Sequence, residues 1–396
     1  MRIITRNIWI LSLVSLFTDM ASEMLYPVMP LFLKSIGYTA VFIGVLEGVA
    51  EAVAGLSKGY FGKLSDAKGK RLPFVQLGYA LSAISKPLLA IFIQPLWILL
   101  SRTIDRLGKG IRTGARDALL NDECLPGHKA KVFGFHRSLD TLGAVFGPAL
   151  ALTYLYFYPG RYVQLFLIAF LPGLLAIILT SLIKEKTSAG YKPPEKHRKF
   201  FAFSSYWKNS SPAYRKLVAG LLLFALFNSS DVFLLLKMKE TGLNDTAIIG
   251  IYIFYNLIYA VLAYPLGIIA DKLGLKKVFI FGLLAFCGVY VGFGFNNNMY
   301  VFIFLFGLYG LYAAATEGIS KAWIAHLVQK NETATAIGMY SGFQSIAALA
   351  ASTLCGLLWF YWGPLATFLI TAIVSLIVAI YLFFSTQEPV NNMAPV

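Results

Sequence analysis

For a chain of 396 residues, this one has little charge, little histidine and little cysteine. Only 13% of its residues are Asp, Glu, Lys or Arg, about half of what a soluble domain carries. That excludes a water-covered globular surface. The three cysteines, Cys124, Cys287 and Cys355, are scattered and form no Cys-x-x-Cys pair. Such a set excludes a disulfide frame or a cysteine metal cluster, and buried thiols packed among apolar side chains are expected instead. The chain has no Gly-x-x-x-x-Gly-Lys-Ser/Thr string and no His-Glu-x-x-His, so neither nucleotide hydrolysis nor a zinc hydrolase site is expected. No cofactor and no metal is expected.

What the chain has in quantity is apolar sequence, at 58%. A spanning helix needs about 20 mostly apolar residues. Twelve such segments are legible, at roughly 8–33, 41–61, 73–93, 95–115, 131–157, 162–183, 214–236, 246–270, 277–295, 299–323, 334–360 and 363–384. Backbone groups in hydrocarbon must bond within their own segment, so these are helices. Met1 to Asn7 is short and basic, but the apolar run behind it continues to Leu33, holds Asp19 and Glu23, and lacks a small-residue cleavage site. It is expected to be a retained first span.

Lys184 to Lys216 is the one long polar stretch, with Pro193-Pro194 and four bases close by. It divides the chain into residues 1–184, a linker at 185–213, and residues 214–396. Net charge is +15, and the bases gather in alternate short loops. That placement is the positive-inside pattern and puts both termini in the cytoplasm. It also excludes nucleic acid as the partner of the basic charge.

One string occurs twice. Gly62-Lys63-Leu64-Ser65-Asp66-Ala67-Lys68-Gly69-Lys70-Arg71 and Gly267-Ile268-Ile269-Ala270-Asp271-Lys272-Leu273-Gly274-Leu275-Lys276 share glycine, three residues, aspartate, two residues, glycine and then bases. The aspartates stand 205 positions apart, each copy between apolar segments. Halves that echo each other mark a membrane transporter built from repeats. The glycines allow a tight turn and close helix approach. The aspartate can bond donors at a neighbouring helix N-terminus, and the bases can form ion pairs.

Together these features resemble the major facilitator superfamily over essentially the whole chain. The resemblance implies an all-α membrane fold of twelve helices in two pseudo-symmetric six-helix halves. It makes the duplicated string a cytoplasmic gate formed by Gly62, Asp66, Gly69, Lys70 and Arg71, and by Gly267, Asp271, Lys272, Gly274 and Lys276. Ala67 replaces a usual basic residue in the first copy, and Leu275 departs in the second. Arg106 to Gly110 resembles a fourth-span motif of proton-coupled members. Gly143, Gly147 and Pro148 resemble the fifth-span motif of drug-efflux antiporters, without its usual final glycine pair.

Charge in hydrocarbon costs roughly 3 kcal/mol per residue even on a lenient scale, so buried ionisable groups point to function. Asp19 and Glu23 lie four apart on one face of the first span, as do Glu47 and Glu51 on the second. The fourth span carries Arg102, Asp105, Arg106, Lys109 and Arg112. Counting about 1.5 Å per residue puts Glu23 level with Arg102 and Asp19 level with Arg106. An ion-paired, proton-exchanging cluster is therefore expected in the first half. The second half is mostly neutral. Asn228, Asp231, Tyr252, Tyr255, Asn256, Tyr340 and Gln344 are its candidate substrate-cavity residues, donors beside aromatic faces that suit an organic solute.

The expected function is secondary active transport of a small organic solute by alternating access, proton-coupled and exporting. The protein would be a monomer in a bacterial cytoplasmic (inner) membrane, with protons, solute and lipid as partners. Proton-coupled uptake of a metabolite, siderophore or nutrient is the alternative within transport. An integral-membrane enzyme is the alternative from another class.

Overall fold

The computed structural model describes residues 3–26, 28–29, 32–33, 36–37, 40–185, 205–228, 231–243 and 245–386. The linker segment 186–204 and the side chains of Glu47 and Glu51 lie outside the described residues. The described chain is helical throughout. Its first helices are α1 (Arg6–Glu23), α2 (Ala40–Lys68), α3 (Leu72–Ile91), α4 (Pro95–Glu123), α5 (Lys129–Phe157) and α6 (Tyr162–Thr180). Then come α7 (Ser205–Asn209), α8 (Pro212–Ala225), α9 (Val232–Glu240), α10 (Asp245–Leu273), α11 (Leu275–Phe295), α12 (Met299–Leu327) and α13 (Thr333–Ser385).

Local chemistry sets several of the boundaries. Proline opens α4 and α8, where its missing N–H costs nothing. Ser211 caps α8 by accepting the Tyr214 amide. Gly69 and Gly274 hold the same place in the duplicated string, and both have positive φ, +62° and +106°. Each permits the tight turn that ends α2 or α10. Within α13, Gly363 at φ +79° breaks the helix just before Pro364.

Two features differ from the expectation of twelve uniform spans. The segment 214–236 is not one helix: α8 stops at Ala225 and α9 starts at Val232. The intervening sequence includes Asn228 and Asp231, side chains that compete with helical hydrogen bonding. In addition, seven helices among the described residues are long and apolar enough to cross a membrane by length and composition. Helix α4 is not among them, because it carries Arg102, Asp105, Arg106, Lys109, Arg112, Arg116 and Asp117. Of these, Arg102, Asp105, Arg112, Arg116 and Asp117 are buried in protein rather than exposed to lipid.

The chain forms two compact units. The first comprises Met1–Cys124, Leu139–Asn209 and Gln329–Ser345. In it, α2 and α3 pack on α4, while α1 and α3 pack on α6. Phe32 meets Phe166 edge-on at 4.9 Å, beside Met24, Leu25 and Leu165. The second unit comprises Leu125–Ser138, Ser210–Val328 and Ile346–Val396. There α10 and α11 pack on α12, and stacked rings fill the core, with Phe286 on Tyr290 at 4.2 Å and Phe293 on Phe302 at 4.9 Å. The start of α5 thus belongs to the second unit and the start of α13 to the first.

Candidate functional site

In the first unit Asp66, near the C-terminus of α2, is buried against the first turn of α13. Its Oδ2 accepts the Thr335 amide at 2.6 Å and the Thr335 hydroxyl at 2.8 Å. Its Oδ1 pairs with Arg71 at 3.1 Å. Arg71 also pairs with Asp122 and donates to the Lys330 carbonyl at 2.7 Å. Glu185 holds the start of α3 by accepting the Arg71 and Leu72 amides at 2.6 and 3.1 Å. Burial raises the Asp66 carboxyl to about 6, against the pull of Arg71 and the Thr335 donors. The helices touch closely, since a Cβ on Gly62 would overlap the Ala334 carbonyl.

The second unit repeats this arrangement. Asp271 Oδ1 accepts the Ala130 amide at 2.9 Å, and Oδ2 accepts the Lys131 amide at 2.7 Å. These are first-turn donors of α5, where the helix dipole favours an anion. A Cβ on Gly267 would overlap the Ala130 carbonyl. The bases of the two copies diverge. Lys70 and Lys272 are exposed, whereas Lys276 donates to the Phe383 and Thr386 carbonyls at 2.5 and 2.7 Å, at the end of α13.

The charged residues of α4 meet partners that counting along the sequence does not select. Asp105 pairs with Lys86 of α3 at 2.7 Å, both groups buried, and its other oxygen lies 3.9 Å from Arg102. Lys86 also donates to Ser22 at 3.1 Å. Arg116 pairs with Asp117 at 2.8 Å and reaches Ser15 at 3.3 Å, which in turn bonds Asp140. Arg112 donates to Ser82 at 2.5 Å and lies over the Tyr79 ring. Asp19 and Glu23 are half-buried, and Glu23 lies in the field of Lys109, Arg106, Asp140 and Arg102. Lys86 has a faint sequence signal, as a lone base in an apolar span between Ser82, Ser85 and Pro87.

The fifth-span glycines face this cluster. A Cβ on Gly143 would stand 2.8 Å from the Met20 amide and 3.0 Å from Asp19 Cβ. One on Gly147 would stand 2.6 Å from the Met20 carbonyl. Pro148 is buried beside them. Gly55-Leu56-Ser57-Lys58-Gly59 spells the Gly-x-Ser-x-Gly of a hydrolase nucleophile elbow. It lies inside α2, however, and Ser57 donates back to Val53, so the strand-to-helix turn that such a nucleophile needs is not there.

The candidate cavity residues divide between the units. Tyr340, buried, and Gln344, half-buried, belong to the first. The others gather in the second. Asp231 accepts the Tyr309 hydroxyl at 2.7 Å, and Asn228 donates to the Tyr312 hydroxyl at 3.0 Å. Tyr255 stands 5.8 Å from Tyr252 and 5.0 Å from Tyr309, between ring centres. Asn256 is buried and bonds back to the Tyr252 carbonyl at 3.0 Å. Sequence alone does not single out Tyr309 and Tyr312 among so many aromatics.

The family model of the Major Facilitator Superfamily matches residues 11–255 and 232–394. The chain belongs to this superfamily. It is 32% identical over 389 residues to an uncharacterized MFS-type transporter of Methanocaldococcus jannaschii, covering 97% of this chain and 96% of that one. It is 24% identical over 296 residues to the quinolone resistance protein NorA of Staphylococcus aureus, covering 66% of this chain and 73% of that protein. The fold matches the crystal structure of the E. coli fucose:proton symporter FucP with a TM-score of 0.76 at 13% identity, over 98% of this chain and 100% of that one. Superfamily members are multi-pass membrane transporters of small solutes, so the integral-membrane enzyme alternative falls away.

Proposed function

We propose that this chain exports a small organic solute in exchange for protons, by alternating access. The observation that carries this reading is the contrast between the units. One holds a dense set of buried acids and bases around α4, and the other an aromatic wall with few charges. The first suits proton exchange and the second suits solute. Asp19 and Glu23 are the proposed proton carriers, with Arg102 and Arg106 as their electrostatic partners and Asp105, paired with Lys86, as a further member of the charged cluster. Glu47 and Glu51 are next in line. The two aspartate–helix contacts, at Asp66 and Asp271, act as locks of the cytoplasmic gate. A relative named for quinolone resistance supports export of a drug-like molecule.

In this reading the chain spans the cytoplasmic membrane twelve times as a monomer, with both termini inside. Its six-helix halves, 1–184 and 214–396, are joined by the linker 185–213. The test uses proteoliposomes with an imposed pH step, and counterflow without one. Asp19→Asn and Glu23→Gln are expected to abolish gradient-driven accumulation yet retain solute exchange. Exchange returns the carrier loaded and need not change its protonation, whereas net movement against a gradient must. Mutants that still concentrate solute as the parent does would move the proton site elsewhere. The direction of the pH step that drives accumulation separates export from proton-coupled uptake.

A further inference from the structure

A second contact flanks the aspartate in each unit, and the two are built differently. In the first unit Asn121, near the end of α4, is 1% exposed, and its Nδ2 donates to the Thr333 hydroxyl in the first turn of α13 at 3.1 Å. Thr333 is wholly buried and donates in turn to the Gln329 carbonyl at 3.2 Å. The other end of the Asn121 amide, Oδ1, is buried with no hydrogen-bond partner among the described residues. Turning the amide over would move the orphan to the nitrogen without removing it. Two turns earlier on the same face, Gly114 brings α4 against both neighbours. A Cβ there would stand 2.9 Å from the Ala334 carbonyl and 3.1 Å from Gly62 Cα. Asp122, next along α4, pairs with Arg71. Consecutive residues of α4 thus reach both sides of the Asp66 contact. In the second unit a charge makes the matching contact. Lys129, the first residue of α5, donates at 2.7 Å to the Ala325 carbonyl in the last turn of α12, where a helix C-terminus favours a base.

A buried amide end without a partner loses its hydration and gains nothing in return, and that loss outweighs one neutral hydrogen bond. The loss lasts only while α4 and α13 touch, because water reaches the amide once they part. Asn121 therefore registers α13 against α4 and at the same time opposes holding it there. We infer that Asn121 is a positioning residue of the cytoplasmic gate, and that its unpaired amide end keeps the closed contact reversible. This rests on the gate reading of Asp66 proposed above. It goes beyond that reading by naming a buried polar residue whose removal tightens the closed arrangement rather than loosening it.

Spin labels at the exposed residues Lys70 and Lys330 of the full chain in lipid nanodiscs read the closed and open arrangements as two distances. Asn121→Leu nearly keeps the branched shape and removes both amide ends, so the closed-to-open ratio should rise about fivefold. Thr333→Val keeps the shape of Thr333 and strands the second amide end as well, so the ratio should fall by about fivefold. Added to Asn121→Leu, Thr333→Val should change little, because no amide is left to strand. In counterflow Asn121→Leu should lower turnover and leave KM unchanged, a split that a merely structural asparagine would not give. Unfolding temperature in detergent is the second measurement. Asn121→Leu should unfold no lower than the parent, and Thr333→Val should unfold lower. An Asn121→Leu protein that shifts toward the open distance, or that loses as much stability as Thr333→Val, overturns the inference. Asp66→Ala removes the acceptor of both Thr335 bonds and is the control for the gate reading. If it opens the labels and Asn121→Leu fails to close them, this inference alone falls. If neither variant moves them, the gate reading falls with it.

Discussion

Thr335 donates both its amide and its hydroxyl to one oxygen of Asp66, at 2.6 and 2.8 Å. The carboxylate thereby caps the start of α13 and holds Arg71 with its other oxygen. Burial outweighs these favourable contacts and raises the carboxyl, so the lock rests on the hydrogen bonds that fix α2 to α13 rather than on the charge itself. Asp66→Asn keeps the shape and removes the charge. It should lower turnover about tenfold, equivalent to ~1.4 kcal/mol, and leave KM within about threefold, because a gate contact binds no solute. Thr335→Ala keeps the amide donor and should cost about 1 kcal/mol or less. Asp271→Asn should have a smaller effect than Asp66→Asn, since the Arg71 ion pair adds to what the Asp66 charge holds. Initial rates of counterflow in vesicles check all three, and a large loss of affinity with normal turnover would count against the gate assignment.

The same carboxyl predicts a pH dependence. Burial raises it to about 6 while the lock is made. Once the lock opens into water it returns toward the ordinary value near 3.8. The made lock therefore binds the proton more tightly, and acid favours it. Between about pH 6 and pH 4 the closed arrangement should gain stability, on the order of 1 kcal/mol by pH 5. Above pH 7 the dependence should vanish. Arg71 is the charged group that acts on Asp66, and Arg71 in turn pairs with Asp122, which lies in the field of Lys330 and Glu185; Asp122 also has a raised pKa and contributes in the same direction. Distance measurements between spin labels on either side of the lock, taken from pH 7.5 to 4.5, read the shift. Asp66→Asn should remove most of it, and an unchanged pH response in that variant would assign it elsewhere.

The fold class is legible because length and composition carry it: long apolar runs separated by basic loops admit few architectures. The duplicated string is also legible, down to its turn glycines. The surfaces that Asp66 and Asp271 meet are not. Ala334 and Gly338 face Gly62, and Ala130 and Gly134 face Gly267, yet an Ala-x-x-x-Gly spacing is common in any membrane helix. The break at Asn228 and Asp231 is hidden because an averaged window across 214–236 is dominated by leucine and phenylalanine. Lys86 is hidden for another reason. Depth counting along α1 and α4 can match their charges to each other, but it cannot show that α3 lies nearer to Asp105.

The contact of α5 on α1 gives a packing prediction. Gly143 leaves no room for a side chain, with the Met20 amide and Asp19 Cβ within 3.0 Å of an added Cβ. Gly143→Ala must push α1 away or strain it, at a cost of about 1–3 kcal/mol. Because Asp19 and Glu23 ride on that turn, the variant should lose coupling before it loses folding. Thermal unfolding in detergent should show a modest loss, and the ratio of pH-driven accumulation to counterflow should fall further than either rate alone. A variant with parent-like coupling would mean that α1 tolerates the shift.

Lys86 and Asp105 make the sharpest test of the buried charge network. Their groups are 2.7 Å apart, and both are nearly excluded from solvent. Removing one partner of such a pair leaves a bare buried charge and typically costs about 3–5 kcal/mol. Lys86→Met should therefore destabilise strongly, since Arg102 at 3.9 Å is too distant to replace the lost bond fully. Arg102→Ala should cost less, because Asp105 keeps Lys86. Adding Asp105→Leu to Lys86→Met removes the stranded carboxylate, and stability should return most of the way, as it does when buried pairs are replaced by apolar side chains. Unfolding temperatures of the single variants and the double variant complete the cycle. If the double variant is no more stable than Lys86→Met alone, the cost of losing Lys86 lies in packing. If it recovers stability but not pH-driven accumulation, the pair serves coupling as well as folding.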